Sequence, residues 1–120
     1  MDAEELKRRT KQFGLRIIQL VEDLPSTKSA SVVGNQLLRS GTSVGANYRS
    51  ACRGRSKLDF ISKIGITIEE ADESLYWMEL LIESGQMAKE TLTPLMKEAD
   101  ELISILTASA KTARINIRRK

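Results

Sequence analysis

With 120 residues, 41% hydrophobic and 29% charged, the chain can bury one core without disulfides or metal and is too apolar for a disordered segment. Aromatics at 4% leave core building to aliphatic side chains, and the single cysteine, Cys52, has no partner for an internal bridge, which fits a reducing compartment. The net charge of +3 hides a segregation, since residues 1–63 hold 12 Lys/Arg against 6 Asp/Glu, residues 64–110 hold 2 against 10, and residues 111–120 hold 5 against none, a pattern that predicts charge pairing between neighbours with positive surface left over.

The acidic opening Met1-Asp2-Ala3-Glu4-Glu5 carries no apolar stretch of the secretory kind, and no apolar run approaches the roughly 18 residues of a membrane span. A cytoplasmic location with no membrane contact is therefore expected. Helical periodicity runs through the whole chain, and no segment alternates like a strand. The first helix is expected from about Ala3 to Leu24, with Leu6, Phe13, Ile17, Leu20 and Leu24 in a sector roughly 60° wide. Pro25 ends it, and Ser26-Thr27-Lys28-Ser29 supplies caps for the next.

The second helix is expected from about Ser29 to Arg53, its core face formed by Val33, Leu37, Ser40, Val44, Tyr48 and Ala51. Gly54 breaks it, and Ser56-Lys57-Leu58-Asp59 reads as a capping box that opens the third helix. That helix carries the stripe Leu58, Ile61, Ile64, Ile68, Ala71, Leu75, Met78 and Ile82 and stops at Gly85. The fourth begins between Lys89 and Pro94: Thr93-Pro94 suits a cap and first turn, and an earlier start with a kink is the alternative. Its stripe is Leu95, Ala99, Leu102, Leu106, Ala110, Ala113 and Ile117. Short connections make consecutive helices antiparallel, so the expected fold is all-α, an up-down-up-down four-helix bundle forming one domain over residues 1–120.

Two features exceed the needs of a solitary bundle. Gly34, Gly41, Gly45 and Cys52 lie within roughly 40° of one another on the second helix. Glycine inside a helix costs about 1 kcal/mol relative to alanine, so another backbone must come close, either inside the bundle or from a second subunit. On the third helix, Ile66, Trp77 and Leu81 cluster opposite the core stripe. There Trp77 either folds over a neighbouring side chain or anchors an oligomer interface, and the interface is the favoured reading.

Catalysis finds little support. The chain has no histidine, the commonest general base and metal ligand. Cys52 lies near Arg49 and Arg53 but lacks a histidine to pair with, and Glu69, Glu70, Asp72 and Glu73 lack the inward Glu-x-x-His pairs of di-metal bundles. Gly41-x-x-x-Gly45 is mid-helix and lacks the Lys-Ser/Thr of a phosphate loop. No enzyme activity, metal or cofactor is expected. Arg39, Arg49 and Arg53 fall within roughly 80° of one another on the second helix, opposite its apolar face. Arg55 and Lys57 extend the strip through the turn. The strip suits phosphate contacts, or else pairs with the acidic third helix. Without a recognition-helix turn, aromatic platform or zinc spacing, any nucleic-acid binding would be backbone-directed.

The run Asn35-Gln36-Leu37-Leu38-Arg39-Ser40-Gly41-Thr42-Ser43-Val44-Gly45-Ala46-Asn47-Tyr48-Arg49 resembles the signature of the four-helix-bundle proteins encoded in intervening sequences of bacterial 23S rRNA genes. Phe13-Gly14-Leu15-Arg16, Asp59-Phe60-Ile61-Ser62-Lys63, Glu69-Glu70-Ala71-Asp72-Glu73 and Tyr76-Trp77-Met78-Glu79-Leu80-Leu81 are similar to its other blocks. Gly65 and Thr67 are less helix-favouring than that pattern implies. The resemblance implies a four-helix bundle, commonly a homopentamer with a central pore. It also implies kinship with accessory proteins of diversity-generating retroelements, which are basic and engage nucleic acid and a reverse transcriptase. The expected function is thus a non-enzymatic, homo-oligomeric accessory protein. It meets RNA or DNA through Arg39, Arg49, Arg53, Arg55 and Lys57, and its own copies through Gly34, Gly41, Gly45, Ile66, Trp77 and Leu81. The alternative is a scaffold that binds only protein.

Overall fold

The computed structural model describes residues 1–119; Lys120, the last of the basic tail, lies outside them. Four helices follow one another: α1 (Ala3–Glu22), α2 (Lys28–Cys52), α3 (Lys57–Glu83) and α4 (Lys89–Arg118). Three start where a side chain satisfies the orphan amides of the first turn. The Asp2 carboxylate accepts from the Glu5 N–H at 2.8 Å, Thr27 Oγ1 from the Ala30 N–H at 3.1 Å, and Ser56 Oγ from the Asp59 N–H at 3.1 Å. The Asp59 carboxylate in turn accepts from the Arg55 N–H at 3.1 Å and stiffens the turn into α3. At the other end of α3, Gly85 adopts φ +78°. The Gln86 and Gly85 amides return to the Leu81 and Ile82 carbonyls, each at 3.0 Å, in a Schellman closure.

The fourth helix takes the earlier of its two possible starts. It begins at Lys89, and Pro94 sits inside its second turn. Pro94 has no N–H, so the Glu90 carbonyl loses its helical donor. The Thr93 hydroxyl takes the Lys89 carbonyl at 2.8 Å. No side chain caps this helix.

Consecutive helices run antiparallel in an all-α four-helix bundle. α2 packs on α1 and α3, α3 packs on α4, and α1 meets α4 least closely. The bundle measures 54 × 21 × 20 Å, the long axis matching the roughly 45 Å of a 30-residue helix. No helix among the described residues is long and apolar enough to cross a membrane. The core runs along the axis as Leu6, Phe13 and Ile17 of α1, Leu37, Val44 and Tyr48 of α2, Ile64, Ala71, Met78 and Leu81 of α3, and Leu92, Leu95, Ala99, Leu102, Leu106 and Ala110 of α4.

On α3 the buried face departs from the apolar stripe. Ile64, Ala71 and Met78 are buried as expected, but Leu58 is 70% exposed, while Thr67, Ser74 and Leu81 are buried. The inward sector is turned by roughly 60° towards α2. Small hydroxyl side chains make this possible: Ser40 and Ser74 meet at 3.0 Å, and the Ser74 hydroxyl also reaches the Glu70 carbonyl at 2.9 Å. Their polar atoms are satisfied in place, so their burial costs little.

Candidate nucleic-acid interface

The five cations expected on one strip separate into two groups. α2 lies between α1 and α3, and Arg39 leans towards α3, where its guanidinium bonds Glu70 at 3.1 Å and also binds Glu73. Glu73 is held further by the Trp77 indole N–H at 2.9 Å. That hydrogen bond, followed by Arg39, keeps the Glu73 carboxyl below its ordinary range, and Glu73 raises Arg39 in return. Arg39 is thus engaged inside the chain, unlike the other four cations of the expected strip.

Arg49 and Arg53 lean the other way, towards α1. Both are exposed, and neither forms a salt bridge among the described residues. They line a groove of about 440 Å³ between α1 and α2, whose opposite wall carries Lys7 and Lys11 and whose floor includes Gly14, Leu15, Ile18, Gly45 and Ala46. Arg55 and Lys57 follow on the turn into α3, both exposed.

The antiparallel topology adds more. The start of α1, the end of α2, the start of α3 and the end of α4 share one end of the bundle. There Met1 and Phe60 line a hollow with Ile105, Thr112, Ala113 and Asn116. Arg8, Lys11, Arg49, Arg53, Arg55, Lys57, Lys111, Arg114, Arg118 and Arg119 are all exposed on these segments, and none pairs with a carboxylate among the described residues. Three neighbours are engaged: Lys7 with Glu4 at 3.0 Å, Lys63 with Asp59 at 3.4 Å, and Arg9 with Glu98 at 2.5 Å. Arg9 also lies 3.7 Å from Glu101, and the pair with Glu98 raises the Arg9 guanidinium. Such a cluster of unpaired cations on one pole attracts polyanions and is screened by salt.

A family model of the 23S rRNA-intervening sequence protein matches residues 4–108. The chain belongs to that family. Its fold is similar to the crystal structure of a protein of unknown function from the S23 ribosomal protein family of Bacteroides thetaiotaomicron VPI-5482. That match has a TM-score of 0.86 and 35% identity and covers 92% of this chain and 99% of that one. No curated protein matches the chain.

In this member of the family, several residues expected at a subunit contact are taken up within the chain. A Cβ built on Gly34 would stand 2.8 Å from a Leu24 methyl, one on Gly41 2.6 Å from Ile17 Cγ1, and one on Gly45 3.2 Å from the Thr10 carbonyl oxygen. The glycine flank is therefore where α1 presses on α2. Leu81 is buried for the reason already given, the rotation of α3. Trp77 is half-buried against the core, donates to Glu73 and stacks edge-on to Tyr76 at 5.1 Å between ring centroids. Ile66 alone of the six stays exposed, at 42%.

Two contributors to the basic pole were passed over in the sequence. Lys7 and Lys11 join it because the α1–α2 pairing sets them opposite Arg49 and Arg53. The tail cations Lys111, Arg114, Arg118 and Arg119 join it because antiparallel α4 ends at the same pole. Cys52 is half-buried beside Tyr48 and is free. Burial, with Cys52 alongside, pushes the Tyr48 phenol up. Asp72 is exposed.

Proposed function

We propose that this chain is a cytoplasmic, non-enzymatic, homo-oligomeric accessory protein that holds RNA or DNA by its phosphates at the basic pole of a single-domain bundle. One observation carries this reading: ten exposed cations, from Arg8 to Arg119, gather at one end without carboxylate partners among the described residues. Arginine forks and lysine ammonium groups on such a surface exchange condensed counterions of a nucleic acid for themselves. Arg53, Arg55 and Lys57 at the α2–α3 turn, flanked by Arg49, form its centre. The non-enzymatic part rests on the residue inventory: no histidine and a single cysteine provide neither nucleophile–base pair nor the usual proton shuttle.

Contacts limited to phosphate are sequence-tolerant and strongly salt-dependent. Fluorescence anisotropy with RNA and DNA duplexes across a salt series tests this. Binding is expected to fall steeply with salt, and the slope of log K against log salt to shrink by about 1 for each phosphate contact removed in Arg53→Ala and Arg55→Ala. Affinity absent at low salt, or unchanged in the double variant, refutes the reading and leaves a protein-only scaffold.

A further inference from the structure

Five helical glycines can be compared by what an added Cβ would meet. Gly14, Gly34, Gly41 and Gly45 each find atoms of the neighbouring helix within 4 Å, whereas Gly65, in the middle of α3, finds nothing. The first four are explained by the α1–α2 contact. Gly65 lowers the helix propensity of α3 with no return inside the chain. Its surroundings are unusual for a solvent face. Leu58, Glu69, Asp72 and Tyr76 lie within roughly 40° of Gly65 on the helix wheel. Leu58 is 70% exposed and Tyr76 53%. Glu69 and Asp72 are exposed and form no salt bridge among the described residues. An uncovered glycine amid apolar and acidic side chains is a surface shaped for close approach by something basic and apolar.

The chain carries such a surface elsewhere. The α1–α2 groove has Leu15, 50% exposed, and Ile18, 41% exposed, on its floor and Lys7, Lys11 and Arg49 on its rim. We propose that the outer face of α3, centred on Gly65, seats in the α1–α2 groove of a second copy of this chain. A ridge of one helix entering the furrow between two others is ordinary helix packing. Gly65 brings the α3 backbone close over Leu15 and Ile18, Leu58 and Tyr76, about 27 Å apart along α3, extend the contact to either side, and Glu69 and Asp72 meet the rim cations. Two α3 faces packed on each other would instead oppose carboxylate to carboxylate, so charge selects the head-to-tail arrangement. Contacts of that kind close into rings or extend as filaments. Arg55 and Lys57 lie on the turn beyond this seat and stay open to phosphate, while Arg53 joins Arg49 on the groove itself.

The proposal rests on the reading of the chain as self-associating, and a mixing experiment separates the two. Gly65→Gln damages the ridge and keeps the groove; Leu15→Glu damages the groove and keeps the ridge. By sedimentation velocity the wild-type chain is expected to assemble and each variant to be monomeric at the same concentration. Because Gln enters open space and favours helix, Gly65→Gln is expected to melt as a monomer no lower than the isolated wild-type fold. An equimolar mixture of the variants is expected to form a one-to-one heterodimer that grows no further, since only one intact ridge and one intact groove remain. A monomeric wild-type chain overturns self-association itself. An assembled wild type whose variants still assemble, or whose monomeric variants fail to complement, overturns this pairing of faces alone. Nucleic-acid affinity is read separately on the wild type.

Discussion

Gly41 and Ile17 offer a sharp test of the close α1–α2 contact. In most exposed helices glycine to alanine gains about 1 kcal/mol. At Gly41 the new Cβ would stand 2.6 Å from Ile17 Cγ1, 2.8 Å from Cγ2 and 3.0 Å from Cβ. These are the branch-point atoms of a side chain stiff at χ1 and fully buried, not a flexible end that can swing aside. Overpacking of this kind costs about 1–3 kcal/mol, and with three atoms inside ordinary contact we take the upper end. Subtracting the propensity gain leaves a loss of about 2 kcal/mol. With a urea m-value of about 2 kcal/mol/M, the midpoint should fall by about 1 M. Ile17→Ala alone should cost about 2–5 kcal/mol. It also removes both Cγ atoms, so adding Gly41→Ala in that background should be neutral or stabilising by about 1 kcal/mol. The coupling energy expected from the full cycle, about 2–3 kcal/mol, lies well outside the scatter of additive pairs. Urea unfolding of the four proteins at one fixed concentration measures it. A gain in stability from Gly41→Ala in the wild-type background, or an equal effect in both, would refute the packing described.

Other perturbations follow from the same geometry. Arg39→Ala should leave nucleic-acid affinity unchanged while Arg53→Ala lowers it, because only Arg39 is held by Glu70 and Glu73; equal losses from the two would contradict that division. The Glu73 carboxyl is depressed from 4.5 by Trp77 and then by Arg39. Its contribution is therefore present above pH 4.5 and lost as pH falls through the depressed value. Unfolding midpoints from about pH 3 to 7 should decline less steeply in Glu73→Gln than in the wild type. Tyr48 shifts the opposite way, raised from 10.0 mainly by burial. The stability it confers is present below pH 10 and lost above it, and Tyr48→Phe should flatten that alkaline decline. Pro94→Ala should restore the missing bond to the Glu90 carbonyl and raise stability by about 1–2 kcal/mol, visible as a higher thermal midpoint; a lower one would show that Pro94 shapes the start of α4.

Much of the fold was legible in local signals. The caps at Thr27 and Ser56 and the Gly85 stop all lie where composition places them, because each depends on neighbours within a few residues. The α3 face was misread because apolar periodicity cannot register Ser74 and Thr67 as core when their hydroxyls find partners inside. The glycine flank of α2 announced a close approach, but spacing on one helix does not say whether the approaching backbone belongs to the same chain. Nor could one helix reveal the basic pole, whose cations come from segments about a hundred residues apart and meet only when the topology folds their ends together.

The surplus of positive charge at that pole follows from what flanks α2. Its arginines span roughly 80° of the wheel, enough for one edge to face α3 and the other α1. On the α3 edge the carboxylates of Glu70 and Glu73 are waiting, and Arg39 is neutralised. On the α1 edge the facing positions are Lys7 and Lys11, so Arg49 and Arg53 meet like charge across the groove. Like charges lining one groove repel and add nothing to the stability of a lone chain. Carboxylates at the two lysine positions would relieve the repulsion without disturbing any buried residue, since Lys7 and Lys11 lie outside the core. Lys11, Arg49 and Arg53 have no carboxylate partner among the described residues, and in the proposed assembly a phosphate backbone at the outer end of the groove, or the acidic ridge of a second copy along its length, would supply that counter-charge.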